Sequence, residues 1–319
     1  MAQGLVGLAV LVLAAALPVG PGGLRLVVGT VGGYLAAVAL HRWWQHRTGR
    51  KISLGIILSS LWLGGLTLAA MFVSVLPLAE GRDPSRTLTQ PAMLQPNLFS
   101  RHPLGTDSQA LDVLSTLLYG ARVSIMVAVG AVLFALVVGG LFGVLAGYFR
   151  GWADSAIGFV TDAMLAFPAL ILLLAMASIM RPSPVNVTLA LGILATPGIV
   201  RLARAGTLAI ASREFVTAGR TLGARTSRIV FREIIPHIIP PMVAYSFIVA
   251  GFLIVAEASL SFLGLGIRRP NPTWGNLIAQ GQGLLITHPW LVILPAFFLF
   301  LTVVSSNFIG QRLQQKWAI

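Results

Sequence analysis

Long apolar runs alternate with short polar breaks from one end of the chain to the other. The runs cover roughly 2–18, 26–40, 53–77, 122–147, 157–180, 187–203, 240–265 and 288–310. A helix needs about 20 apolar residues, and no fewer than about 17, to cross the hydrocarbon of a bilayer. The pattern therefore predicts a polytopic, all-α membrane protein, with the second and sixth runs near the lower limit. Pro18, Gly20, Pro21, Gly22 and Gly23 divide the first two runs, and Arg25 follows. A tight hairpin of two short spans fits this break, because proline and glycine interrupt a helix. One long kinked or interfacial element is the other reading.

Within the 122–147 run, Ala131, Ala135, Gly139, Gly143 and Gly147 recur every four residues. Such a stripe has almost no side-chain bulk, so a second helix can approach closely and gain dispersion contacts. The polar break at 79–120 ends in HPLGTDSQALDVLSTLLYG, where Leu111, Leu114, Leu117 and Leu118 fall at helical spacing. This spacing predicts a short helix lying on the membrane or protein surface.

Composition strengthens the membrane reading. Of 319 residues, 56% are hydrophobic and 10% charged, and the mean hydropathy is +0.88. Water-soluble domains carry about 25% charged residues. The formal charge of +13 is held in the breaks between apolar runs, which argues for positive charge retained in the cytoplasm and against a nucleic-acid partner. With both termini inside, the cytoplasmic breaks hold Arg42, Arg47, Arg50, Lys51, Arg150, the cluster from Arg201 to Arg232, Arg312 and Lys316. The external breaks hold half as many. The 79–120 break, with Glu80, Asp83, Asp107 and Asp112, is external on this topology. There is no cysteine, and the five histidines match no metal-ligand spacing.

Two acids fall inside apolar runs, where a bare carboxylate is costly. Asp162 is near the cytoplasmic start of its run, either solvated or bonded to a helix. Glu257 is deeper, in IVAEASLSFLGLG with Ser259 and Ser261. It suits a packing or gating hydrogen bond, contact with solute, or proton coupling, and a lone acid without a base in the spans makes a poor proton relay.

The segment from Ala211 to Pro241, ASREFVTAGRTLGARTSRIVFREIIPHIIPP, is polar enough to leave the membrane. Phe215, Ala218 and Leu222 form an apolar line at helical spacing, with Arg213, Arg220, Arg225, Arg228 and Arg232 as solvent-facing charge. Gly223 breaks a first helix, Thr226 or Ser227 caps a second, and Pro236 limits it. Two short helices joined at a glycine turn would make a rigid protrusion below the bilayer.

This segment resembles the cytoplasmic signature of the inner-membrane permeases of ATP-binding cassette importers, of the dipeptide, oligopeptide and nickel type. Thr217, Ala218, Gly219, Gly223, Ile235 and Pro236 occupy that pattern, with Thr217, Gly219 and Glu233 departing from its usual residues. HPLGTD at His102, DVLSTLLYGAR at Asp112, LAGYFRGW at Leu145, DAMLAFPALIL at Asp162, EASLSFLGLG at Glu257 and PTWGNLI at Pro272 follow in the family's order. Ala110 and Leu111 replace a common Gly-Arg pair. The similarity covers roughly 100–318.

The resemblance implies a type I permease core over 121–319, with the cytoplasmic coupling segment at 205–240. Residues 51–120 would supply the first core helix and the external segment, and 1–50 an extra helical hairpin with a basic linker. It implies that Thr217, Ala218, Gly219, Arg220, Gly223, Ala224, Arg225, Arg228 and Pro236 serve coupling to an ATPase. Asp162, Glu257, Ser259 and Ser261 become translocation or gating candidates, and Asp107, Asp112, Trp274 and Asn276 candidates at the external mouth. The chain has no GxxxxGK[ST] phosphate loop. ATP and Mg would therefore be bound by two partner ATPase subunits or domains, and this chain would be a noncatalytic translocation subunit in the cytoplasmic membrane. The further implied partners are a homologous permease chain, an extracytoplasmic solute-binding protein, and a dipeptide or oligopeptide cargo. Nickel or another small solute is the alternative within the family. An ion-driven secondary transporter and a membrane scaffold are the readings outside it.

Overall fold

The computed structural model describes residues 54–97 and 100–317. The hairpin expected from the first two apolar runs, with its basic linker, lies outside the described residues. Those described form helices α1 (Leu54–Met71), α2 (Val113–Phe149), α3 (Gly151–Ala166), α4 (Ala169–Ile179), α5 (Pro184–Ala211), α6 (Glu214–Thr221), α7 (Thr226–Phe262), α8 (Trp274–Gly281) and α9 (Trp290–Trp317). Five of them, α1, α2, α5, α7 and α9, are long and apolar enough to span a membrane, and the bent pair α3–α4 makes a sixth if counted as one span.

The small-residue stripe of α2 faces α5, and the two form the most extensive helix pair among the described residues. Ala131 and Ala135 have no exposed surface. A Cβ on Gly139 would stand 2.9 Å from the Ile199 Cβ, and one on Gly147 would stand 2.7 Å from the Thr207 Cβ. Absence of side chains thus sets how closely the helices approach. The cluster around this seam takes in Leu173 of α4, Val216 of α6 and Leu253 of α7. A second cluster joins α1, the start of α2, Trp274 of α8 and Leu291 and Leu294 of α9. Trp62 of α1 donates to Thr302 of α9 at 3.1 Å.

Three local expectations are corrected. The leucines near residue 115 do not make a separate surface helix. Asp112 caps α2 by accepting from the Ser115 N–H at 2.8 Å, and the helix then runs unbroken to Phe149. Its 37 residues extend about 55 Å against about 30 Å of hydrocarbon, so α2 is longer than a span requires and part of it lies beyond the hydrocarbon. Leu111 and Leu117 are buried there, and the boundary expected at residue 120 falls inside α2.

The run at 157–180 is not one straight span. Pro168 forces the preceding Phe167 into an extended conformation (φ −82°, ψ 134°), and the chain bends by 92° between α3 and α4. Pro236 likewise does not end the helix begun at Thr226. A π turn over Ile229–Ile234, with the Ile235 N–H donating to the Val230 carbonyl, widens the backbone just before the proline, and α7 runs on through it to Phe262. A wider turn relieves the clash of a proline ring with the preceding turn.

Candidate functional site

The cytoplasmic protrusion is built around α6. The helix ends in a Schellman arrangement, with the Ala224 N–H donating to the Gly219 carbonyl and the Gly223 N–H to the Arg220 carbonyl, both at 3.0 Å. Gly223 occupies the left-handed position at φ +78°, where a side chain is disfavoured. Val216 has no exposed surface and anchors α6 in the core, while the Arg220 guanidinium lies 5.2 Å from the Tyr148 ring at the end of α2. Phe215 stacks near His237 at 5.5 Å. The buried anchor is therefore Val216. Of the expected apolar line, Phe215 and Leu222 face outward, and Leu222 is 87% exposed. Phe231 is also exposed, as are Thr217, Ala218, Arg220, Arg225 and Arg228, so this surface presents both apolar and basic groups. Pro236 is exposed in the first turn after the π turn.

A second polar feature lies between α3 and α5. Asp162 bonds Arg201 at 2.6 Å. Arg204 holds Asp154 through both carboxylate oxygens, donating from Nε to one and from Nη2 to the other at 2.6 Å. Arg201 and Arg204 lie in the C-terminal half of helix α5 rather than in a loop. Sequence reasoning passed over Asp154, Arg201 and Arg204 as a site. The available signal is two acids eight residues apart on α3 and two arginines three apart on α5, spacings that place each set on one helical face.

Glu257 has no exposed surface and sits wholly inside this chain. Ser124 of α2 donates to its carboxyl at 3.1 Å and Ser261 of α7 at 2.6 Å. These bonds join α2 and α7. Ser259 instead donates to the Val255 carbonyl at 2.8 Å. Among the described residues no group of three His, Cys, Asp or Glu gathers as a metal site.

The four residues expected at the external mouth occupy bonded positions. Asp112 is buried, capping α2 and meeting His102 Nδ1 at 3.1 Å. Asp107 accepts the Gln109 and Leu111 N–H groups at 2.8 and 2.9 Å and pairs with Arg269 at 3.4 Å. Trp274 is fully buried and donates to the Leu117 carbonyl at 3.2 Å. Asn276 completes a capping box with Thr273 and donates to the Ile267 carbonyl at 3.1 Å. Trp274 is a packing anchor rather than a mouth-lining group, and Asn276 is held by its own backbone neighbours.

A bundle of spanning helices with a rigid, arginine-rich protrusion at one end defines a multi-pass membrane permease. The chain belongs to the family of binding-protein-dependent transport system inner membrane components, whose model matches residues 139–319. It is a multi-pass inner-membrane protein. The glutathione transport system permease protein GsiD of Pectobacterium atrosepticum is 36% identical over 215 residues, covering 67% of this chain and 71% of that one. The di/tripeptide transport system permease protein DppC of Pseudomonas aeruginosa is 34% identical over 276 residues, covering 86% and 90%. The inward-facing MetNI methionine ABC transporter shares the fold, with a TM-score of 0.54 and 20% identity over 63% of this chain and 95% of that one.

Proposed function

We propose that this chain is the noncatalytic permease subunit of an ATP-driven importer that carries dipeptides or short oligopeptides into the cell. The observation that carries the coupling role is the α6 protrusion. Its apolar tip is exposed while its base is locked to α2, α5 and α7, so a partner that seats on Phe215, Leu222 and Phe231 moves the spanning helices with it. A rigid lever of this kind passes displacement to the helices it is packed against. The partner is a cytoplasmic ATPase that binds ATP and Mg, and two copies or domains of it serve a pair of homologous permease chains. An external binding protein delivers the solute. The cycle converts ATP, water and external solute into ADP, phosphate and internal solute. Peptide cargo is supported by the di/tripeptide and glutathione transport relatives, which match much of the chain's length.

The test is uptake into proteoliposomes holding this chain with its neighbouring permease, ATPases and binding protein. Labelled dipeptides, oligopeptides and nickel are offered in competition. ATP-dependent accumulation of peptide is expected. Selective nickel accumulation would replace the cargo and keep the mechanism, and an intact assembly without ATP-dependent flux would sink the importer reading.

A further inference from the structure

Asp154, Gly158 and Asp162 follow one another at four-residue intervals on α3, which puts them on one face. That face meets Arg201 and Arg204 of α5 across an open cavity of about 500 Å³. Asp162 lies about 16 Å along the helix axis from Gly151, in the second half of α3, and its partner Arg201 lies within the candidate span α5. Both members are more than half exposed, at 69% for Asp162 and 59% for Arg201. Charged groups on membrane-spanning helices avoid lipid tails. They line water or meet polar partners. By contrast, Met126, Val129, Leu133, Val137 and Leu141 make an exposed and wholly apolar stripe on α2.

The cavity volume falls within the range of about 300–1,000 Å³ that holds small ligands. Its walls present two carboxylates and two guanidiniums in matched pairs, so it has no net charge to offer a simple ion. A solute carrying one ammonium and one carboxylate can exchange partners with such a pair, leaving every charge compensated. An apolar helix laid over the same face would strip water from the ion pairs and give nothing back.

We propose that the α3–α5 cleft is a solute-contacting section of the translocation path, and that Arg201 and Asp162 receive the carboxylate and ammonium termini of a zwitterionic peptide. This rests on the importer reading above. Arg204 and Asp154, tied by two hydrogen bonds, hold α3 against α5 and keep the cleft in register.

The chain has no cysteine of its own, so an introduced thiol is the only one in this chain, and labelling is read on this chain after separation from its partners. Gly158 has open space where a Cβ would stand, and Ser155 offers a near-isosteric second position in the same cavity. G158C and S155C are each assembled with the partner subunits and treated with a charged, membrane-impermeant thiosulfonate, with V137C on the apolar stripe for comparison. Both cavity thiols are expected to react at least tenfold faster than V137C, and trialanine supplied with its binding protein to slow them. In uptake assays R201Q should raise the KM for trialanine about tenfold, in line with loss of a charge-assisted hydrogen bond. N-acetyl-trialanine amide should give the slowed thiols no protection. Cavity thiols as inert as V137C, in an assembly that still accumulates trialanine, would overturn the inference by placing this face against the partner permease, and the importer reading would stand. An R201Q KM equal to wild type would overturn the terminal-recognition role. Absence of ATP-driven peptide uptake by the wild-type assembly would instead remove the reading on which both depend.

Discussion

Alanine at Gly143 tests how tightly the α2–α5 seam is set. A Cβ there would stand 2.5 Å from the Ala203 Cβ and 2.6 Å from the Val200 carbonyl oxygen. Relaxed carbon contacts are about 3.5–4.0 Å, so the helices must part locally by about 1 Å. Neither obstacle is the end of a flexible side chain, and no rotamer change clears it. A gap of about 0.5–1 Å forfeits a quarter to a half of each dispersion well along the stripe, and overpacking of this kind costs about 1–3 kcal/mol. The better helix propensity of alanine offsets about 1 kcal/mol. The net expectation is destabilisation of up to about 2 kcal/mol, and Gly143→Leu should exceed it. The assay is thermal unfolding of the detergent-purified assembly, with Gly158→Ala alongside. A Cβ at Gly158 meets nothing within 4 Å, so only the propensity gain remains there. Gly143→Ala should melt below wild type and Gly158→Ala at or above it. A Gly143→Ala protein that melts at or above wild type would refute the reasoning.

Gly223→Pro should uncouple ATP hydrolysis from uptake while leaving membrane insertion intact. Proline cannot adopt φ +78° and removes the N–H that donates to the Arg220 carbonyl, and parallel measurement of ATPase rate and flux checks it. Trp274→Ala should lower the stability of the assembly by about 3–5 kcal/mol, read as a drop in melting temperature, because it empties a fully buried site. Asp112→Ala should cost about 1–2 kcal/mol through loss of the α2 cap, and Asp112→Asn should recover most of it in the same melting assay.

Much of the architecture is legible along the chain because hydrocarbon imposes its demand residue by residue. A spanning helix must be apolar whatever it packs against, so the six runs after residue 50 correspond to the five long helices and the bent pair. The stripe from Ala131 to Gly147 and the turn at Gly223 were readable for a similar reason. Each depends on the absence of a side chain, which the sequence states directly.

What lay beyond the sequence depends on which groups meet across space. The small residues of α2 announce a close neighbour without saying that it is α5. Arg201 and Arg204 count as loop charge in any average over neighbours, yet they lie within α5 and are paired with Asp162 and Asp154 of α3. Trp274 and Asn276 look available in a polar break, yet the indole is enclosed by α2 and the amide is consumed by its own cap. Glu257 reads as an isolated acid until folding brings Ser124, more than a hundred residues away in sequence, to its carboxyl. Composition and periodicity determined the solvent, the helices and the rigid turn, since those are local properties of the chain. Tertiary structure alone decided the pairing of buried and membrane-embedded polar groups, because a hydrogen bond is set by distance in space and leaves no local trace in sequence.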